Sequence, residues 1–255
     1  MSTYGDTWNE WYDRVHVRDD DLAFWTEEAR VSGGPVLELG CGTGRVAIPI
    51  AQTGIQVVGL DNSRELLGIA RRKARSLRLS RDQVQFTYGD MRRFSLKQQF
   101  PLVCIPFNSF LLLLSVAEQF QALLAIRKHL IPSGRLIIDV FVPDLDRLVG
   151  GPSVESSNGE LLESDRDHQL ILREQSFCDN FNQIITARNM IEERDPKGNL
   201  EQTVLKEYQL RYIHRFEMQH LLAAAGYSVV DVYGSYERHT LDEEDPRMIW
   251  VATPN

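Results

Sequence analysis

Residues 36–45 read VLELGCGTGR, a short apolar run followed by a turn with three alternating glycines. The run has the length of a buried strand, and glycines allow a ligand to approach the backbone closely at the start of a helix. A dinucleotide-binding turn has the spacing G-x-G-x-x-G/A, whereas this turn places Arg45 where the third small residue belongs. The stretch therefore predicts a strand, a turn and a helix of an α/β fold, with a turn that is not spaced for a pyrophosphate.

Short apolar runs alternate with helical patterns after this turn, which is the order that builds a parallel sheet with helices on both faces. The predicted strands cover residues 36–39, 56–60, 84–87, 102–105 and 136–140, and the predicted helices cover residues 45–52, 63–76 and 117–130. These elements predict a Rossmann-like, doubly wound α/β fold.

The region from residue 144 to residue 214 has a different pattern. Strand-like runs over residues 169–177, 183–193 and 200–213 are separated by turn signals, which predicts an antiparallel meander. A helix over 215–225 and strands over 227–233 and 248–252 then complete a mostly parallel seven-stranded sheet whose last strand is antiparallel. We therefore assign residues 1–143 and 215–255 to the core and residues 144–214 to an inserted antiparallel β cap.

The composition is that of a globular enzyme-sized protein. The 255 residues are 43% hydrophobic and 25% charged, so a disordered chain and a membrane protein are both disfavoured. The net charge of −8 disfavours nucleic acid as a partner. The three cysteines are far apart and form no CxxC pair, which indicates neither a disulfide framework nor a zinc site and favours a reducing cytoplasm. Acidic residues at the N-terminus are unlike a secretion signal.

Three carboxylates follow successive predicted strands. Glu38 precedes the first glycine and attracts an ammonium group, while Asp61 lies 21 residues after Gly40, where a carboxylate can accept both hydroxyls of a ribose. Asp90 closes the third strand and can accept from the exocyclic amine of adenine. Taken singly, Asp61 could also be an ordinary helix N-terminal acid and Asp90 an ordinary strand-end residue. Together, an ammonium, a ribose and an adenine describe S-adenosylmethionine.

The chain resembles the class I S-adenosylmethionine-dependent methyltransferases, especially a bacterial branch that acts on small molecules. The resemblance rests on residues 36–51, 57–71, 89–91, 105–110, 129–143 and 248–252. It implies that Glu38 and the glycine turn hold the methionine moiety, Asp61 the ribose, and Asp90 with Met91 the adenine. The cofactor-binding residues that it implies are Tyr12, Glu38, Gly40, Cys41, Gly42, Gly44, Arg45, Asp61, Asn62, Leu66, Gly89, Asp90, Met91 and Pro106, with Leu66 packed on adenine and Tyr12 covering the cofactor.

The segment after the fourth predicted strand occupies the position that faces the transferable methyl group in this family. It reads PFNSF, which is not the N/D-P-P-Y/F signature of enzymes that methylate nucleobase or glutamine amines. The expected substrate contacts are Phe107, Asn108 and Phe110, although core packing explains the two phenylalanines equally well. Relatives often carry a histidine where this chain has Leu112, so no general base is assigned. The weak catalytic candidates are Asn108, His16 and His214.

The sequence thus predicts a methyltransferase that transfers a methyl group from S-adenosylmethionine to an oxygen or nitrogen atom of a small molecule. Two alternatives stay open: a protein that binds the cofactor without catalysis, and a nicotinamide-dependent oxidoreductase. We expect no metal, nucleic acid or membrane partner, and a monomer or homodimer.

Overall fold

The computed structural model describes residues 4, 8, 11–16, 18–144, 148, 153–162 and 169–255, with the backbone alone for residues 153–162. These residues form two sheets, one of seven strands in the order β10-β11-β5-β4-β1-β2-β3 and one of four strands in the order β6-β7-β8-β9. The strands are β1 (Val36–Leu39), β2 (Val57–Asp61), β3 (Val84–Tyr88), β4 (Phe100–Ile105), β5 (Leu130–Phe141), β6 (Ser153–Leu162), β7 (Gln169–Asp179), β8 (Ile184–Arg194), β9 (Leu200–Arg211), β10 (Tyr227–Tyr233) and β11 (Arg247–Pro254).

The large sheet is doubly wound around β1. Strands β1 to β5 are parallel, and β11 pairs antiparallel with both β10 and β5. The chain runs from β1 towards β2 on one side and later towards β4 on the other, so the strand order reverses between β1 and β4. Ligands of open α/β sheets bind outside the carboxyl ends of the strands at such a reversal. The predicted seven-stranded, mostly parallel sheet with an antiparallel last strand is confirmed.

The α-helices with described bounds are α1 (Tyr12–Val15), α2 (Leu22–Ser32), α3 (Ala47–Gln52), α4 (Arg64–Ser76), α5 (Val116–Arg127) and α6 (Arg215–Ala224). The side chain of Ser63 caps α4 by accepting from the Leu66 N–H. Helix α5 ends at Arg127, so the prediction that it continues to residue 130 is wrong. Leu130 instead pairs with Phe100 as the first residue of β5.

The alternating side chains of β1 enter two separate apolar cores. Val36 packs in one cluster with side chains of α2, α3 and α4, such as Trp25 and Leu67. Leu37 packs in the other cluster with side chains of α5 and α6. Both faces of the sheet are therefore covered, and the carboxyl ends of its strands are left to form a site.

The second sheet packs against the described N-terminal residues. Trp8 and Trp11 form an apolar cluster with Leu170 of β7 and Ile191 of β8. The buried guanidinium of Arg211, at the end of β9, donates to the Gln119 side chain of α5 at 3.1 Å, which joins this sheet to the core. The part of the predicted cap at residues 145–147, 149–152 and 163–168 lies outside the described residues.

In the part of the chain that the structure describes, no helix combines the length and the apolar character that crossing a membrane requires.

Candidate functional site

A cavity of about 680 Å³ opens at the carboxyl end of the large sheet. One wall is the glycine turn with the ends of β2 and β3, and the opposite wall is β9 of the second sheet. The lining residues are Tyr4, Tyr12, Gly40, Gly42, Leu60, Asp61, Asn62, Leu66, Gly89, Asp90, Met91, Arg92, Ser109, Leu112, Leu113, Leu114, Glu118, Glu207, Tyr208 and Gln209. The cavity therefore brings together nine of the predicted cofactor-binding residues, which come from four separate segments of the chain.

The glycine turn lies too close to Ser109 for a side chain at Gly40. Gly40 has a φ of +71°, and a Cβ there would lie 2.7 Å from the Cβ of Ser109. Gly42 has a φ of +52°, and the nearest atoms to a Cβ there belong to Leu66 and Tyr12. The left-handed backbone and the open space above Gly42 leave room for a ligand against the main chain.

Asp61 organises this turn. Its Oδ2 accepts from the Gly42 N–H at 2.8 Å, and its Oδ1 accepts from the Ser63 N–H at 2.8 Å. An ionised carboxylate has about four acceptor positions, so one carboxylate can accept from several donors. Asp61 lines the cavity while only 8% exposed, so it can both fix the turn and accept from ligand hydroxyls.

Glu38 is the most perturbed acid near the turn. It is only 3% exposed and lies behind the residues that line the cavity, and its Oε2 has no hydrogen-bond partner. Burial raises the pKa of this carboxyl to about 8, against the lowering effect of the Arg45 guanidinium. A buried oxygen without a donor fits a ligand cation, which would supply the missing hydrogen bond and favour the charged form.

Asp90 is held by an arginine that the sequence analysis did not single out. The Arg92 guanidinium donates to both carboxylate oxygens of Asp90 and also pairs with Glu118 of α5. These hydrogen bonds hold the pKa of Asp90 below its usual range. Asp90 therefore stays ionised. The ion pair between Arg92 and Glu118 also holds Glu118 in the wall of the cavity.

Tyr12 and His16 form the aromatic side of the site. Tyr12 lines the cavity, and its ring lies 4.7 Å from that of His16. Burial raises the pKa of Tyr12 above its usual range and lowers the pKa of His16 to about 4. Both side chains are therefore neutral at pH 7, and neither is tuned to remove a proton from a hydroxyl group.

Arg45 is not among the cavity-lining residues, so its predicted contact with the cofactor stays a prediction. Its guanidinium forms an ion pair with Asp21 at 2.7 Å between Nη2 and Oδ2, and the Asp21 side chain is fully buried. The Trp25 indole N–H donates to the same carboxylate. Arg45 thus neutralises a buried acid behind the glycine turn.

The expected substrate contacts after β4 are not among the residues that line the cavity, so their contacts with substrate stay predictions. Phe110 is fully buried in the apolar core. The Asn108 Oδ1 accepts from the Phe141 N–H, which holds the side chain against the backbone. Phe107 is half-buried beside the His16 ring, and Pro106 is buried; neither lines the cavity described above.

Three further residues that the sequence predicted for the site do not line the cavity. The Cys41 side chain faces Gly59 and the core, and Gly44 faces Ile48 and Phe86, so both support the turn from behind the cavity. His214 is exposed at the start of α6 and is not among the cavity-lining residues, so its catalytic role stays a prediction.

Several lining residues were missed because their signals are weak in sequence. Arg92 is adjacent to the Gly89-Asp90-Met91 block, and Glu118 lies three residues after the helix cap Ser115. These spacings could have drawn attention to both. Nothing in the sequence places the β9 residues of the second sheet at the cavity, because they lie more than 160 residues after the glycine turn.

One exposed loop contains a group of potential metal ligands that the sequence analysis did not anticipate. Ligand atoms of His239, Asp242 and Asp245 lie within 4.8 Å of one another. His239 and the Asp242 N–H both hydrogen-bond to the Asp245 carboxylate, so internal contacts of the loop explain this arrangement.

Comparison with known proteins finds methyltransferases that are similar to this chain. Residues 36–134 match the family model described as a methyltransferase domain. The chain is similar to the cypemycin N-terminal methyltransferase of a Streptomyces species, with 34% identity over 59% of this chain and 61% of that protein. It is also similar to a dTDP-3-amino-3,6-dideoxy-alpha-D-glucopyranose N,N-dimethyltransferase of Streptomyces fradiae, with 32% identity over 49% of this chain and 46% of that protein. The chain thus spans 61% and 46% of the lengths of these two relatives.

The fold extends over the whole chain of a solved structure. The CcbJ methyltransferase from Streptomyces caelestis superposes with a TM-score of 0.81 and 26% identity, covering 99% of this chain and 98% of that one. The second sheet is therefore included in the shared architecture.

Proposed function

We propose that this chain, which belongs to the class I S-adenosylmethionine-dependent methyltransferases, transfers a methyl group from S-adenosylmethionine to an amine nitrogen of its acceptor. One observation carries the proposal: the cavity at the strand-order reversal joins the glycine turn and Asp61 to a wall of ionisable and aromatic groups. The first wall is suited to the cofactor and the second to the acceptor.

The described residues fit the cofactor at each of its parts. The unpartnered Oε2 of Glu38 is suited to an ammonium group, and the space that Gly40 and Gly42 leave is suited to the chain beside it. Asp61 has acceptor capacity for ribose hydroxyls, and Leu66 and Met91 supply apolar walls for adenine. When bound, S-adenosylmethionine supplies an electrophilic methyl group on a positively charged sulfur.

An amine acceptor is favoured because the described histidine and tyrosines at or beside the cavity are not tuned to deprotonate a hydroxyl group. Among the described residues at or beside the cavity, His16 has its pKa lowered to about 4, and burial raises the pKa of Tyr12 and of Tyr208 above the usual range. An amine loses its extra proton to water before it reacts, so positioning and exclusion of water suffice.

The charges of the cavity also favour an amine. Four carboxylates and one guanidinium line it: Asp61, Asp90, Glu118, Glu207 and Arg92. This excess of negative charge attracts a cationic cofactor and an ammonium-bearing acceptor. The two similar proteins from Streptomyces are named as an N-terminal methyltransferase and an N,N-dimethyltransferase, which supports nitrogen as the accepting atom.

We further propose that the second sheet covers the acceptor. Glu207, Tyr208 and Gln209 of β9 line the cavity opposite the glycine turn, so an acceptor between the two walls is shielded from water. The division into a core and an inserted cap, the cytoplasmic setting and the monomer or homodimer remain predictions.

A matched pair of acceptors tests the reaction. We expect formation of S-adenosylhomocysteine with primary or secondary amines and at least about tenfold slower turnover with the corresponding alcohols. A general base typically raises the rate of such a step by about 100-fold or more, and the alcohols would react without one. Product formation is followed by mass spectrometry over a panel of amine and alcohol isosteres. Faster transfer to the alcohols would contradict the choice of nitrogen, and binding of the cofactor without transfer to either class would identify a non-catalytic protein.

Binding of S-adenosylhomocysteine at pH 6.5 is expected to release a proton from Glu38. The raised pKa of about 8 keeps this carboxyl protonated in the free protein, and an incoming ammonium group favours its ionised form. Calorimetry in buffers of different ionisation enthalpy measures the proton, and Glu38→Gln should abolish its release. Equal proton release from the wild type and this variant would remove Glu38 from the ammonium site.

A further inference from the structure

The outer edge of β9 borders the cavity. Three consecutive residues of this strand, Glu207, Tyr208 and Gln209, line it. Successive side chains of a strand point to opposite faces of a sheet, so one face alone cannot supply all three. The cavity therefore reaches around the edge of β9, where the backbone itself is accessible.

The register shows which backbone groups face outward. The Tyr212 N–H donates to the Gln183 carbonyl. Gln183 and Tyr212 therefore form a hydrogen-bonded pair directly beyond the Ile184–Arg211 end of the ladder between β8 and β9. Hydrogen-bonded and non-hydrogen-bonded pairs alternate along an antiparallel ladder, so Tyr208 turns its backbone groups towards β8. Glu207 and Gln209 consequently turn their N–H and C=O groups away from β8.

In the part of the chain that the structure describes, these outward groups lie at the edge of the second sheet. Strand β9 is the last strand of its sheet, and among the described residues the N–H and C=O groups of Glu207 and Gln209 have no partner across that edge. Two residues of a strand span about 7 Å, which is the repeat at which an added antiparallel strand places its own donors and acceptors. The edge thus offers a peptide backbone two pairs of complementary groups at the mouth of the site.

The charge at this edge identifies the end of the peptide that enters. Glu207 of β9 pairs with Arg188 and Glu118 of α5 pairs with Arg92, and both carboxylates line the cavity together with Asp61 and Asp90. The Tyr208 side chain lines it from the opposite face of β9. Carboxylates and aromatic rings attract an ammonium group and repel a carboxylate terminus.

We propose that the acceptor is a peptide that adds to β9 as an extra strand and presents its N-terminal amine to the methyl group in the cavity. Strand addition gives affinity through main-chain hydrogen bonds. The uncharged amine nitrogen forms the new N–C bond while the C–S bond of the cofactor breaks, S-adenosylhomocysteine leaves and the extra proton passes to water. The transfer step rests on the proposed function, whereas docking at the edge does not.

Binding of short peptides to two proline variants tests the docking. The probes are C-terminally amidated alanine peptides of one to five residues, titrated in the presence of S-adenosylhomocysteine. We expect the affinity for the peptide to rise as its length increases from one residue to three or four. Gln209→Pro should weaken the affinity for the tetrapeptide by about tenfold or more, because the proline removes one outward N–H and obstructs the edge. Gln209→Ala, which keeps the N–H, should bind like the wild type.

A second proline on the same edge controls for general damage to β9. Thr203 pairs with Glu192 in the same register, so its backbone also faces outward, and it is not among the cavity-lining residues. Thr203→Pro should leave tetrapeptide affinity unchanged, and all three variants should bind S-adenosylhomocysteine normally.

Three results would overturn the proposal. They are tetrapeptide binding that is independent of length, equal binding by Gln209→Pro and Gln209→Ala, and a dimer that Gln209→Pro dissociates, which would show that the edge pairs with a second copy. Peptide binding at the edge without methyl transfer would instead contradict the proposed function and leave the docking intact.

Discussion

Replacing Gly40 with alanine is expected to reduce the affinity for S-adenosylhomocysteine by at least about 100-fold. The left-handed backbone at φ +71° disfavours any side chain, and the new Cβ would lie 2.7 Å from the Cβ of Ser109. Strain of about 1–2 kcal/mol and overpacking of about 1–3 kcal/mol can be relieved only by moving the turn, and the turn forms a wall of the cavity. Calorimetric titration of the folded variant measures the affinity.

Two matched variants separate the close contact from the backbone strain. Gly54 has a φ of +89° with nothing within 4 Å of an added Cβ, so Gly54→Ala should cost stability without changing affinity. Ser109→Gly removes the atoms that the new Cβ meets, so adding it to Gly40→Ala should restore part of the lost binding. Unchanged affinity in Gly40→Ala would show that the turn does not hold the ligand.

Replacing Arg45 with methionine is expected to lower the free energy of unfolding by about 3–5 kcal/mol, because it leaves a buried carboxylate uncompensated. The Asp21 side chain is 0% exposed and that of Arg45 is 15% exposed, so solvent cannot replace the lost partner. Chemical denaturation measures the change. Affinity for S-adenosylhomocysteine should be little altered, since Arg45 lies behind the cavity.

An exposed ion pair provides the control for this variant. Arg30 pairs with Glu27 on the surface of α2, so Arg30→Met should leave stability nearly unchanged. Adding Asp21→Asn to Arg45→Met should recover part of the loss, because the unpaired charge is removed. If Arg45→Met has normal stability but weaker ligand binding, Arg45 would be shown to contribute to the cofactor site.

The central strand and its turn could be predicted because their signals are local. A four-residue apolar run, fixed glycine spacing and a following helix leave few alternatives, and strands β1 and β10 have the predicted bounds. The carboxylates at the ends of β2 and β3 follow from the same logic, since parallel strands end at one edge of the sheet. Both acids line the cavity.

The residues whose surroundings could not be predicted are those that depend on distant partners. Arg45 sits in the most informative motif, but its partner Asp21 lies 24 residues earlier and outside the predicted elements. Phe110 follows a strand end, where a substrate wall and a core residue have the same local pattern. Which face of a turn meets the core is decided by packing, and that information is not in the local spacing.

The β9 wall of the cavity could not be predicted for the same reason. The alternating pattern of residues 200–213 identifies a strand, but not which element lies across from it. Contacts such as the hydrogen bond from Arg211 to Gln119, between residues 92 positions apart, determine how the second sheet is held over the core. The acceptor side of the site thus depends on tertiary packing more than the cofactor side does.

Titration of S-adenosylhomocysteine into the wild type and the Asp61→Ala variant tests most directly whether the cavity is the cofactor site. We expect one saturable site in the wild type and an affinity weaker by about 1–3 kcal/mol in the variant, because ribose hydroxyls lose a charged acceptor and the Gly42 N–H loses its partner. Equal affinities in two folded proteins, or no binding by the wild type at millimolar ligand, would contradict the account.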